Sequence, residues 1–400
     1  MPMKKPFRAQ LLSRPIEHVD ITAFDSRPII DQYRQIRGSG GDLADATEII
    51  NKGLQDPGCT MSLTLAGSSS SQGLMNVWPT LVKNRIVDIV LATGASVIDM
   101  DIFETLGFRH YHGDPNEDNE TLGDFSIDRI YDTYIDEEEL KEVDIFCRNF
   151  LDTLKPGVYS PRQLLWQMGK FLSENPGRVK KQGGLVQTCF EQGVPLFCLG
   201  LTDSAFGMGS TRHQIARTLK GEPYVQIDTS PEYTELAKIK LVSPTTGLLM
   251  IGGGIPKNHA QDTIVVAQQI LDELRKNGEK DILDRLGYNH EAQEGEVPRH
   301  KYAVQITVAD PRDGACSSST LREARTWGKV DLTYEKMVFG EATALVPPLA
   351  SALYHRGHWK QRPSYRHSDW LTSMKGPSDF GDLEGMLQRI RPASVPVPVK

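Results

Sequence analysis

No stretch of this sequence approaches the roughly 20 consecutive apolar residues that a membrane-spanning helix needs. The opening run Met1-Pro2-Met3-Lys4-Lys5-Pro6 carries positive charge without the apolar core of a secretory signal. The expected compartment is therefore the cytoplasm. An excess of positive charge is missing too. With 45 Lys and Arg against 52 Asp and Glu, the formal net charge is −7, which argues against a nucleic-acid binder with its basic face. A mildly acidic balance suits cationic partners instead. Cysteine is scarce: Cys59, Cys147, Cys189, Cys198 and Cys316 are odd in number and lack CxxC spacing. That pattern fits free thiols in a reducing compartment better than a disulfide framework or a zinc site. The pairs His110/His112 and His355/His358 have no matching cysteine or carboxylate set, so they read as surface histidines and no metal is expected. The GxGxxG dinucleotide fingerprint is also absent.

What is present is a regular alternation. From about Pro57 onward, short apolar runs alternate with helical patterns. Residues 61–65, 86–92, 194–199, 224–227, 246–251 and 302–308 read as strands, and residues 74–83 and 259–276 as helices. Near-continuous apolar strands with helices between them predict an α/β fold, a doubly wound, mainly parallel sheet with helices on both faces. Residues 110–124 read as a polar loop or insertion, and the acidic run Asp136-Glu137-Glu138-Glu139 as the solvated first turn of a helix. Three segments follow: an N-terminal extension over 1–56, a main domain over 57–355 and a peripheral tail over 356–400, which ends in Val395-Pro396-Val397-Pro398-Val399.

Three of the strands run into turns of small residues, at 67–73, 93–96 and 252–254. In an open α/β sheet, ligands sit outside the carboxyl ends of the strands. Backbone N–H groups there, with the positive end of the next helix, hold phosphate or ribose oxygens. Ser68, Ser71, Thr93, Gly94, Gly253 and Gly254 are thus candidate cofactor contacts. Tight strand-to-helix packing explains any one of these turns equally well, and the pattern alone does not identify the cofactor.

Residues 310–329 read DPRDGACSSSTLREARTWGK, a polar loop that turns helical around 321–326. Glu323 and Trp327 stand four apart and share a helix face. A carboxylate beside an indole suits an amine, one giving charge and the other a cation–π surface. Lys329 follows Gly328, where the helix is expected to end. A lysine shielded from water beside bound cations is more often the neutral amine that attacks an imine or carbonyl carbon. By spacing alone, a helix C-terminal lysine complementing the dipole is the plainer explanation.

The ordered succession of VDIVLATGA, Leu201-Thr202-Asp203, Gly252-Gly253-Gly254-Ile255-Pro256-Lys257 and Glu323-Ala324-Arg325-Thr326-Trp327-Gly328-Lys329 resembles the deoxyhypusine synthase family, from about Cys59 to about Leu353. The resemblance implies a Rossmann-like fold, a homotetramer, NAD as cofactor and a polyamine such as spermidine as substrate. It implies a redox-neutral transfer in which an active-site lysine, matching Lys329, holds an aminobutyl group as an imine. On the substrate side the match extends to Glu323, Trp327 and Asp313. On the cofactor side it covers Asp99, Asp203, Gly253, Gly254 and Glu341. The family's N-terminal segment can cover the mouth of an active site.

The sequence departs from the family at three points. Met208 stands where the family carries a second aspartate, Asn258 where it carries a histidine, and Cys316 where it carries an amine-binding acid. His259 is adjacent and takes the histidine's part only if the loop shifts. These changes point to altered substrate handling with the chemistry kept. Three readings remain: transfer to a small amine such as putrescine, giving homospermidine; transfer to a lysine of the hypusine-bearing translation factor; or a catalytically silent NAD-binding paralogue. The loss of acids favours the first.

Overall fold

Six segments build the central sheet: β1 (Cys59–Leu65), β2 (Ile89–Ala92), β3 (Leu196–Phe197), β4 (Thr245–Ile251), β5 (His300–Thr307) and β6 (Val330–Phe339). In this computed structural model, which describes residues 4–390 apart from 182 and 294, they lie in the order β6-β5-β4-β1-β2-β3. Every neighbouring pair is parallel. The run of residues 395–399 lies outside the described residues, as do Met1, Pro2 and Met3.

All seven residues of β1 and all four of β2 are buried, because helices cover both faces of the sheet. Side chains alternate along each strand. On β4, Leu249 and Ile251 join the core under helix α1 (Ser39–Gln55), whereas Leu248 and Met250 join the opposite one, under α2 (Ser230–Val242) and α3 (Gly254–Lys276). Two later helices complete the site's surroundings, α4 (Leu321–Thr326) and α5 (Ala342–Arg356). The fold class read from the alternation is the one observed. From β1 the chain winds outward to β2 and β3, then crosses back to add β4, β5 and β6 on the other side. The winding reverses between β1 and β4, so the crevice outside their carboxyl ends is the topological switch point. Leu65 pairs with Ile251, so both strands end level there.

Several local readings change. Residues 225–227 form a strand, but it pairs with Gly157–Tyr159 in a separate two-stranded sheet. The polar stretch 110–124 contains the strand Tyr111–His112, part of a three-stranded antiparallel sheet, and the helix Asn119–Asp124 capped by Asp118. His110 is a buried residue, not a surface one, because its Nδ1 and a carboxylate oxygen of Glu104 hydrogen-bond at 2.9 Å. The same carboxylate contacts His18 and Lys181, which ties the N-terminal segment to the domain. Asp136 caps the helix Glu137–Thr153 by accepting from the N–H groups of Glu138 and Glu139. The edge strand β6 had no apolar run to announce it. Among the described residues, no helix is long and apolar enough to cross a membrane.

Residues 358–390 pack back onto the domain. Trp370, Leu371, Leu383 and Ile390 are buried in the second core cluster. The buried Arg362 pairs with Asp88 at 2.6 Å and donates to the carbonyl of Cys59 at 2.6 Å, fastening this segment to the start of β1. Removing one partner of a buried pair strands the other charge. Arg362→Ala is therefore expected to cost about 3–5 kcal/mol, read as a lower midpoint in urea denaturation.

Candidate active site

Two cavities open at the carboxyl edge of the sheet, on either side of one loop. The first, about 450 Å³, spans the switch point. Ser68 and Gln72 line it from the turn after β1, Gly252 and Gly253 from the turn after β4, and Glu341 from the start of α5. Asp313 and Ser317 come from the loop after β5. Gly67 has φ +86° and Gly252 φ +70°, which bends both turns sharply. At Gly253 a Cβ would stand 2.3 Å from the Cα of Ser317, so the two backbones touch directly. The Glu341 carboxylate caps α5, accepting from the N–H of Thr343 at 2.7 Å and of Ala344 at 3.2 Å. Asp313 accepts from the Ala315 N–H at 3.0 Å. Ser71 is buried, its hydroxyl donating to the Ser68 carbonyl at 2.7 Å, and it does not line this cavity.

Thr93, Gly94, Asp99 and Asp203 gather outside the ends of β2 and β3, beyond the lining of either cavity. A Cβ on Gly94 would meet the Gly200 carbonyl at 2.7 Å. Thr93 shares a hydroxyl contact with Ser96 at 2.9 Å, and Ser96 donates to the Gly67 carbonyl at 3.4 Å, linking this cluster to the turn after β1. Asp99 accepts from the Ala205 N–H at 2.8 Å. Burial pushes the Asp99 carboxyl up to about 6, against that hydrogen bond and with help from the nearby Asp144 and Asp203.

The second cavity, about 1060 Å³, lies beyond the loop and holds Gly254, Asn258, Asp262, Cys316, Glu323, Trp327 and Lys329. Helix α4 starts with a capping box. The Thr320 hydroxyl accepts from the Glu323 N–H at 3.1 Å, and the Glu323 carboxylate accepts from the Thr320 N–H. Gly328, at φ +73°, reverses the chain after α4 and delivers Lys329 to the start of β6. Lys329 is 9% exposed. Its Nζ stands 2.5 Å from Asp262 Oδ1, donates to Asn258 Oδ1 at 3.3 Å and lies 5.6 Å from the centre of the Trp327 ring. Asn258 Nδ2 in turn donates to Asp262 Oδ2 at 2.8 Å. Lys257, buried among carbonyls and pushed by that burial to about 8, grips the loop by donating to the Cys316 carbonyl at 3.1 Å and the Ser319 hydroxyl at 3.0 Å.

The candidate residues thus fall into groups. Ser68, Gly253, Asp313 and Glu341 share the first cavity, and Gly254, Glu323, Trp327 and Lys329 the second. Asp313, matched on the substrate side, stands in the first cavity, not beside Lys329. His259 is buried against Tyr233 and Phe197, with ring centres 4.5 and 6.0 Å away, and burial holds it down to about 4. It lines neither cavity. Of the three departures, Asn258 and Cys316 face Lys329's cavity, whereas Met208 is exposed on the helix Ala205–Thr218. Asp262 was missed by sequence reasoning. Its one signal was its position a single helical turn beyond Asn258.

A family model described as deoxyhypusine synthase matches residues 28–353. A deoxyhypusine synthase-like protein of Caulobacter vibrioides is 48% identical over 365 residues, covering 91% of this chain and 93% of the relative. One from Coxiella burnetii is 47% identical over 366 residues, covering 92% and 96%. Among solved structures, a deoxyhypusine synthase candidate from Entamoeba histolytica matches with a TM-score of 0.52 at 17% identity, covering 85% of this chain and 97% of that one. That last likeness concerns the fold alone.

The electrostatics of Asp99 make a prediction of their own. Its folded value lies above the ordinary 3.8, so the folded state binds more protons between about pH 4 and 6, and stability falls as the pH rises through that window. Asp99→Asn is expected to be more stable than the parent by about 3 kcal/mol at pH 7.5, with the gap closing towards pH 4. Urea denaturation across this range checks it, and a gap independent of pH contradicts burial as its origin.

Proposed function

The chain belongs to the deoxyhypusine synthase family, and on that premise we propose that it is an NAD-dependent transferase moving an aminobutyl group from a polyamine, spermidine or a similar one, through an imine on Lys329 to an acceptor amine, with putrescine favoured. The observation that carries this reading is the setting of Lys329. Its Nζ is shielded, meets Asp262, shares one cavity with Glu323 and Trp327, and is separated by a single loop from a second cavity at the switch point.

The first cavity fits a dinucleotide. Its glycine turns leave backbone exposed where a Cβ would obstruct, it lies at the start of α3, and it offers carboxylates to accept ribose hydroxyls. Ser68, Gly253, Asp313 and Glu341 are the residues proposed to hold NAD there, with Ser71, Thr93, Gly94, Gly254, Asp99 and Asp203 supporting it along the same edge. NAD, when bound, supplies a reversible acceptor for hydride. In the second cavity Glu323 and Asp262 offer negative charge and Trp327 a cation–π face to the ends of a polyamine. Ile255, Val265 and Val266 offer apolar surface to its methylenes. Binding there holds the donor carbon beside Lys329 Nζ and excludes water, which favours attack by the amine over hydrolysis.

A protein lysine as acceptor is the second reading, favoured by the open mouth, where Trp327 is 71% exposed. The family also supports a homotetramer, consistent with the exposed apolar residues Met208 and Ile215 on one helix and Leu219 at its C-cap. The deciding experiment supplies NAD and labelled spermidine with either putrescine or the hypusine-bearing translation factor. Label is expected in homospermidine, and label in the protein would sink the small-amine reading. Lys329→Ala is expected to lower transfer by roughly a thousandfold or more. Full activity in that variant would remove Lys329 from the mechanism.

A further inference from the structure

Lys329 attacks carbon as the neutral amine, and attack leaves its nitrogen with a surplus proton, so a group in the cavity able to take that proton assists the step. The side chains facing Nζ come from two places. From α3 come Asp262 and Asn258, and from the α4–β6 turn comes the Trp327 ring. Glu323 lines the same cavity, but its carboxylate is engaged by the Thr320 N–H. Lys257 is a cation occupied with the loop carbonyls. His259, the neighbour in sequence, turns into the core against Tyr233 and Phe197. Asn258 has no proton to accept or give at neutral pH. Among the described residues, Asp262 is the carboxylate in contact with the nucleophile.

Its geometry is fixed for the task. One oxygen, Oδ1, meets Lys329 Nζ at 2.5 Å, and the other, Oδ2, is held by Asn258 Nδ2 at 2.8 Å. Asn258 also accepts from Nζ at 3.3 Å, so lysine, amide and carboxylate form a closed triangle. The carboxylate stays partly open to the cavity, with a side-chain exposure of 24%, and can therefore reach an incoming amine as well.

We infer that Asp262 is a catalytic residue that takes the proton from Lys329 and passes it to the departing amine, an inference that rests on the transfer reading above. The lone pair of the neutral Nζ forms a bond to the imine carbon of the oxidised donor as the C=N π pair moves onto the donor nitrogen, and the surplus proton on Nζ moves to Asp262 Oδ1. The bond from that carbon to the diamine fragment then breaks. Its electron pair leaves on the fragment's nitrogen, which takes the proton from Asp262. The Nζ lone pair restores the C=N bond as the fragment leaves, so one C–N single bond and one C=N π bond form, one of each breaks, and the step involves no net redox change. Transfer to the acceptor amine reverses the sequence. Asn258, acting through Asp262, is a positioning residue.

The test uses imine formation on Lys329 without cofactor or polyamine, so that it stands even if the donor is something else. The full-length protein is treated with butanal and cyanoborohydride between pH 6 and 9, and alkylation of Lys329 is followed by peptide mass, with the exposed Lys276 as internal standard. In Asp262→Asn, capture at pH 7.5 is expected to slow by about a hundredfold, the usual scale of a positioned proton acceptor, and Asp262→Glu is expected to recover part of it. A slowing of tenfold or more supports the inference. A smaller change overturns it, and so does acceleration, which is what a carboxylate that merely holds the ammonium charged would give on removal. Should Asp262→Asn fail to fold, Asp262→Ser lacks the carboxylate equally and is judged by the same rate.

Discussion

The site depends on the contact between the backbone of Gly253 and that of Ser317. With 2.3 Å between a would-be Cβ and the Ser317 Cα, no side chain fits between them, and the loop after β5 lies directly against the turn after β4. Two other groups hold it there. Gln305 of β5 donates from one amide to the carbonyls of both Gly252 and Ser317, each at 2.9 Å, and Lys257 grips the same loop from α3. The resulting partition is only a residue or two thick. Gly253 and Ser317 face one cavity, while Gly254 and Cys316 face the other. The two cavities are therefore adjacent yet chemically distinct.

That distinction shows in the charges. Around the first cavity, the Glu341 and Asp313 carboxylates accept from the backbone N–H groups of Thr343 and Ala315. In the second, Lys329, Asp262 and Asn258 satisfy one another, and the exposed Trp327 stands at the rim. The acids missing at Met208 and Cys316 are thus not the whole inventory. An acid contributed by α3, Asp262, meets Lys329 in the second cavity.

The fold was legible where burial made the pattern simple. β1, β2 and β4 are covered on both faces, so their apolar runs stood out, and the switch-point turns followed directly after them. β6 was hidden because it is a partly exposed edge strand carrying Asp331, Glu335 and Lys336. Residues 358–390 looked like a tail because the groups that fix them, Asp88 and the Cys59 carbonyl, lie far away in sequence. In the site, the motif around Lys329 was visible through its neighbours, whereas Asp262 needed a pairing between distant segments. His259 shows the converse error of adjacency. Successive helical residues point about 100° apart, so beside Asn258 it faces the core and not the cavity.

The central claim is that Lys329 carries the transferred group as an imine. Borohydride added during turnover with NAD and labelled spermidine, followed by peptide mass mapping, tests it most directly. Label and the added mass of one reduced aminobutyl group on the peptide containing Lys329 are the predicted result. Turnover with no label on that peptide, or with the label on another residue, would contradict it.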